Sequence, residues 1–94
     1  MASSRDAFRR FNKWKNSRTV LNLTVVTNGA EDRLQGAIFS VEGRRRAVGF
    51  VDDASRNHVV LDLSGDVTFL VDDRSVEAVN ERFGTVRFVE VIIV

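Results

Sequence analysis

The chain has no cysteine, no proline and no tyrosine, and it has one histidine. Without cysteine there are no disulfides and no thiolate metal sites, and His58 alone cannot build an imidazole zinc site. A reducing, cytoplasmic setting suits such a chain. With no cysteine, no second histidine and no serine on a nucleophile elbow, a triad would need unusual partners for His58. The six glycines (29, 36, 43, 49, 65 and 84) stand isolated, so no glycine loop cradles a phosphate. The pairs Asp52-Asp53 and Asp72-Asp73 lack the spaced oxygen ligands of a calcium loop and read as solvated turns, the second also as a helix cap. The expectation is a protein that is not an enzyme and needs no metal or cofactor. No apolar run approaches the ~20 residues of a membrane span, and Met-Ala-Ser-Ser-Arg leads into charged sequence, so neither membrane insertion nor export is expected.

What is present is a 94-residue chain, enough for one domain and one core. Domains of this size bury only about 60–65% of their unfolded surface, so support from an oligomer is expected. The net charge is +1 but unevenly spread: Arg5, Arg9, Arg10, Lys13, Lys15 and Arg18 open the chain against Asp6 alone, while acid dominates the second half. The basic end can meet an anionic partner or the acidic body of a second copy.

Ala7, Phe8, Phe11 and Trp14 recur at three- and four-residue spacing, which predicts a helix over 4–16 with an aromatic stripe and a basic face. Its expected role is a lid plugging the end of a barrel. A membrane-surface helix fits less well, because three turns with few aliphatics bind lipid poorly. Residues 19–71 read as barrel strands. The first strand, over 19–27, alternates around Leu21, Leu23 and Val25. Asn28-Gly29 favours a reversal, with Ala30–Asp32 expected to lengthen the loop. A strand over 33–42 follows, with Leu34, Gly36, Ile38 and Ser40 on one face and Gly36 marking a sharp bend or a close backbone approach. A turn at Glu42–Arg46 leads to a strand over 47–51, and a polar turn at Asp52–Asn57 leads to an apolar strand over 58–63 that should be buried. Ser64–Asp66 reverses into a strand over 67–71.

Residues 72–84 are ambiguous. Val76, Val79 and Phe83, capped by an aspartate and stopped by Gly84, favour a short helix or turn, whereas Ser75–Val79 also fits a strand with Val76 and Ala78 inward. A last strand is expected over 85–94, apolar on both faces at its end and therefore covered. The fold expected is mainly β: a small, strongly bent antiparallel barrel, SH3-like in class, behind an N-terminal helix.

For nucleic acid, Arg44-Arg45-Arg46 can neutralise phosphates, although such a run also reads as a solvated turn. Phe8, Phe11 and Trp14 could stack bases, but their periodicity favours core packing. Leu21, Leu23 and Val25, then Gly29 and Gly36, then Asp53, Asn57, Val59, Val60 and Asp62 occur in the order of the first motif of the Sm and LSm family. The chain resembles that family, which includes bacterial Hfq, over roughly residues 4–79. The resemblance implies a single Sm-like domain over 1–94, a homo-oligomeric ring built by strand-edge pairing, and binding of single-stranded RNA. It implies that Asn57 holds a base and carries over no arginine; His58 or Arg56 at the same turn, and Arg44, Arg45 and Arg46 meeting the backbone, are candidates from the residues themselves. Val67–Val71 could supply one pairing edge, and Phe88–Val94 the other or a block to it. Two departures stand beside it: about ten extra residues between Gly36 and Asp53, and Asp72-Asp73 where the second motif has Arg-Gly. The alternative is a structural or protein-interaction module that oligomerises through the same edges without nucleic acid. A small ligand-binding barrel is a third, more remote reading.

Overall fold

A computed structural model describes residues 4–91. Helix α1 (Ser4–Ser17) is followed by seven strands: β1 (Leu21–Thr27), β2 (Ala30–Glu42), β3 (Ala47–Asp52), β4 (His58–Asp62), β5 (Thr68–Val71), β6 (Ser75–Asn80) and β7 (Gly84–Glu90). All pairings are antiparallel, in one sheet of order β4-β3-β2-β1-β7-β6-β5. This is chain order taken round a circle and opened at one place: β4 and β5, consecutive in sequence, do not pair and form the two margins. The sheet is therefore not closed.

The hairpin β1–β2 turns on two residues, Asn28 (φ 49°) and Gly29 (φ 83°), with Thr27 opposite Ala30. Both angles lie in the left-handed region that a two-residue turn of the right twist requires. Ala30–Asp32 thus belong to β2 and do not lengthen the loop. β2 is shared between two neighbours: Ala30–Gly36 pair with β1, and Gly36–Glu42 pair with β3. Gly36 is the hand-over residue, opposite both Leu21 and Asp52. A Cβ there would lie 2.9 Å from the Val51 carbonyl carbon and 3.2 Å from Asp52 Cα. The close backbone approach read from the sequence is real.

Beyond Gly36 a bulge between Ile38 and Ser40 shifts the register. Ile38 stays opposite the core residue Phe50, but Ser40 falls opposite Gly49, on the outer face, and Val41 packs against the core instead. Simple alternation placed Ser40 with Ile38, and the extra residue of the bulge undoes that.

Residues 72–84 form a turn, strand β6 and a second turn, not a short helix. β6 pairs on both sides, with β5 and β7, and buries Val76 and Ala78. The helical spacing of Val76, Val79 and Phe83 loses to the period of two, because each backbone group of a strand between two neighbours finds a partner. Gly84 (φ 98°) begins β7 and stops no helix. β7 lies between β1 and β6, with Val86 and Phe88 buried. Its Phe88–Glu90 portion is interior and supplies no free edge. The expected continuation to residue 94 lies outside the described residues.

Helix α1 packs against β2 and β5. Its stripe is buried: Ala7, Phe8, Phe11 and Trp14. Phe11 meets Phe88 edge-on at 4.9 Å between ring centroids, and Phe8 meets Phe69 at 6.0 Å. The stripe thus fills the core as a lid should, over the concave side of an open sheet and not in the mouth of a closed barrel. Arg10 fixes the helix at its flank: Nη1 donates to the main-chain carbonyls of Asp72 (2.8 Å) and Asp73 (3.0 Å), and the guanidinium lies 5.7 Å from the Trp14 ring centroid. No helix among the described residues is long and apolar enough to cross a membrane.

Candidate functional site

The corner between β3 and β4 is built by Asp52. Its carboxylate accepts from the Ser55 hydroxyl (2.7 Å) and the Ser55 amide (3.2 Å), and the Ser55 hydroxyl in turn accepts from the Asn57 amide (3.2 Å). The Asp52 amide donates to the Asn57 carbonyl (3.0 Å), and the Arg56 amide donates to the Asp52 carbonyl (2.8 Å). Arg56 is left-handed, at φ 63°. The hydroxyl of Ser55 is the main reason that the Asp52 carboxyl titrates below the usual aspartate range. Asp53, the acid that the motif singled out, acts through its backbone: the amide donates to the Gln35 carbonyl (2.8 Å) and ties the turn to β2.

This network presents Arg56, Asn57 and His58 together on the surface, all exposed. The Asn57 carboxamide has no hydrogen-bond partner among the described residues. The His58 ring lies on Phe39, with centroids 4.7 Å apart and planes inclined by 37°. Phe39 is the residue freed by the β2 bulge, and it is 41% exposed. Beneath it is Gly49, where a Cβ would come within 2.6 Å of Phe39 Cζ. Val60, opposite Gly49 on β4, is 69% exposed. The strand after the turn is accordingly not buried: it is the sheet margin, with Val59 and Leu61 half-buried and His58, Val60 and Asp62 exposed. An exposed ring pair can stack on a planar group, and the carboxamide and guanidinium of the two preceding residues can hydrogen-bond such a group.

Phe39 and Asp52 were not among the site residues singled out from sequence. Asp52 carries the local signal of an acid three residues before a serine, which an Asp-Asp pair leaves ambiguous. Alternation already sets Phe39 on the face opposite Ile38, but the sequence does not show that the strand register lays it over Gly49 and against His58.

Arg44, Arg45 and Arg46 occupy the β2–β3 turn, at the other end of β3. Five residue steps from Ala47 to Asp52, about 17 Å of strand, separate them from the Asn57 corner. The two groups do not form one site. Arg45 pairs loosely with Glu42 at 3.9 Å, both exposed, which is worth little in water. Arg46 is held by its backbone, whose carbonyl accepts from the amide of buried Leu63 (2.8 Å).

The Asp72-Asp73 turn stands at the same level of the sheet as the 53–57 turn: Asp52 faces Gly36, Gly36 faces Leu21, Leu21 faces Glu90, and the Glu90 amide donates to the Arg74 carbonyl. Across the sheet, β2, β1 and β7 lie between the strands that bear them. Among the described residues no group of His, Asp and Glu side chains is arranged to hold a metal. No protein-family model matches the chain, and neither the curated proteins nor the solved structures contain a significant match.

Proposed function

We propose that the chain is a non-enzymatic, ring-forming Sm-like protein that binds single-stranded RNA at the Arg56–Asn57–His58 corner. The observation that carries this reading is the exposed His58–Phe39 ring pair, preceded in the chain by Asn57, whose carboxamide has no hydrogen-bond partner among the described residues. An unpaired base stacks on the rings, and its edge hydrogen-bonds the carboxamide. The cyclic strand order, the bent β2 and the helix filling the concave side support a small, strongly bent barrel open along one seam.

The seam supports the ring. β4 and β5 are the two margins, each with unpaired main-chain groups and an exposed aliphatic side chain, Val60 on β4 and Leu70 on β5. Antiparallel addition of β5 from one copy to β4 of the next satisfies both edges and repeats head to tail until the ring closes.

The test is titration of a labelled U-rich strand at low and moderate salt, with Asn57→Ala in parallel. The expected result is at least a roughly tenfold loss of affinity in Asn57→Ala, the size of a lost base-edge contact. Affinity that disappears at moderate salt and is equal in both proteins refutes specific base binding. One observation favours the interaction module as a second reading: the Asp72-Asp73 turn puts carboxylates where the resembled family carries a cation, which opposes a phosphodiester. That reading holds if light scattering reports a ring while RNA affinity ignores Asn57.

A further inference from the structure

Outside that corner, the described surface has a crevice of about 490 Å³ between α1 and the β2–β3 turn. Arg5, Arg9 and Arg46 line it with Phe8, Asn12 and Gly43, and no carboxylate does. None of the three arginines forms an ion pair among the described residues. This sets them apart from Arg45, engaged by Glu42, and from Arg10, spent on the Asp72 and Asp73 carbonyls.

Their placement follows from three separate features. Arg5 and Arg9 are four residues apart on α1, hence on one face and about 6 Å apart along the axis. The helix cannot roll away, because Phe11 and Trp14 are buried against the sheet and Arg10 is tied to the β5–β6 turn. Arg46 comes from a different element, and its left-handed backbone (φ 52°) is pinned by the Leu63 amide. Phe8 supplies an apolar wall, and the Asn12 carboxamide is steadied by donation to the Phe8 carbonyl (3.1 Å). Three like charges held together without a counter-ion repel one another, and an anion that accepts from all three removes the repulsion while making charge-assisted hydrogen bonds.

We infer that this crevice binds a phosphate-bearing anion, Arg5 and Arg9 gripping it from the helix and Arg46 from the turn. Guanidinium forks match phosphate oxygens in pairs, so three of them suit adjoining phosphates better than a lone carboxylate. The turn belongs to the residues between Gly36 and Asp53 that exceed the Sm-like pattern, so this chain supplies one wall of the crevice, Gly43 and Arg46, from its own added segment. The inference does not depend on the Asn57 corner, which lies at the other end of β3. Two sources share the chemistry: a terminal or free polyphosphate, and the phosphodiesters of a strand.

The test is calorimetric titration of the full chain with inorganic pyrophosphate, then anisotropy with one oligoribonucleotide bearing either a 5′-triphosphate or a 5′-hydroxyl. The variants are Arg5→Gln, Arg9→Gln and Arg46→Gln, with Arg82→Gln as control because Arg82 is exposed on the β6–β7 turn. All are surface changes, and thermal unfolding checks that each variant folds. Pyrophosphate is expected to bind, with a loss of roughly tenfold or more for each crevice variant and none for Arg82→Gln. Preference for the 5′-triphosphate strand assigns the crevice to terminal phosphate. Equal binding of both strands, competed by pyrophosphate, assigns it to the strand backbone. Absence of pyrophosphate binding, or equal losses in Arg82→Gln and the crevice variants, overturns the inference. Asn57→Ala separates the two sites: it should leave pyrophosphate binding unchanged even where it weakens RNA.

Discussion

Gly36→Ala tests the architecture at the residue where β2 passes from β1 to β3. The added methyl group would sit 2.9 Å from the Val51 carbonyl carbon and 3.2 Å from Asp52 Cα, both backbone atoms. The Val51 carbonyl oxygen is closer still and no side-chain rotation relieves a backbone contact, so β3 must move away from β2 by more than about 1 Å, the shortfall of the carbon contacts alone. The shift breaks the bonds nearest the collision: the two of the neighbouring β2–β3 ladder pair Ala37–Val51 and the Asp53 amide bond to the Gln35 carbonyl, the Asp52 amide being turned to Asn57. Three hydrogen bonds at about 1 kcal/mol each make about 3 kcal/mol. Loss of glycine's freedom in the unfolded chain returns about 0.4–1 kcal/mol. The net cost of about 2–3 kcal/mol lowers the midpoint by roughly 10–20 °C for a domain of this size. Gly43→Ala is the matched control, because a Cβ there meets nothing within 4 Å. Thermal unfolding followed by circular dichroism reads both. A Gly36→Ala midpoint within about 2 °C of the wild type would refute the hand-over geometry.

Three further outcomes follow from the same packing. Phe88→Ala empties the place where Phe11 and Trp14 meet the sheet and should cost about 3–5 kcal/mol in denaturant unfolding; a loss below about 1 kcal/mol would mean that α1 does not rest there. Asp52 titrates below its ordinary value in the folded chain. Its share of stability is therefore complete above the ordinary aspartate range and lost as pH falls through the lowered native value, so Asp52→Ala should flatten the acid limb of the midpoint-versus-pH curve and leave its neutral part parallel to wild type. Replacing Val60 and Leu70 together by lysine charges both margins and should turn the proposed ring into a folded monomer by light scattering, with a lower midpoint as the support of the neighbours is lost; a ring that persists in this variant would place the interface elsewhere.

How much was legible depends on whether a feature is local. The α1 stripe, Ala7-Phe8-Phe11-Trp14, is a period of 3.6 over three turns, and the structure buries those four residues. Gly36 was readable as a bend because glycine weakens the interior of an alternating run unless the backbone there must bend or come close to another. The 72–84 segment was misread because its local pattern admits both periods, and the choice is made by β5 and β7 on either side. The Asn28-Gly29 turn was read as long because Ala30–Asp32 are polar, yet these residues pair with Val25–Thr27 at the exposed end of the hairpin. Of the corner, the sequence marked Arg56, Asn57 and His58 as neighbours, which the Asp52–Ser55 network places together on the surface. It could not show Phe39 beside His58, because that contact needs a bare Gly49 and the β2–β3 and β3–β4 registers at once.

The two acidic residues at the β5–β6 turn link the fold to the charge asymmetry. Their carbonyls accept from Arg10, and the Asp72 carboxylate accepts from the Asp73 amide (2.8 Å), which shapes the turn. An Arg-Gly pair at this place would set a second guanidinium beside Arg10 and remove the carboxylate that organises the turn. Asp72 therefore has a structural reason that does not involve a nucleic acid: its carboxylate shapes the turn whose carbonyls hold one flank of a basic helix, and the other flank, Arg5 and Arg9, faces the β2–β3 turn. Helix charge is divided accordingly, with Arg10 engaged in packing and Arg5 and Arg9 without a counter-ion among the described residues. Any anion that this chain meets should thus be drawn first to the crevice, where the described lining holds arginines and no acid, and only then to the Asn57 corner, where Asp52 and Asp53 stand close in the turn and recognition relies on stacking more than on charge.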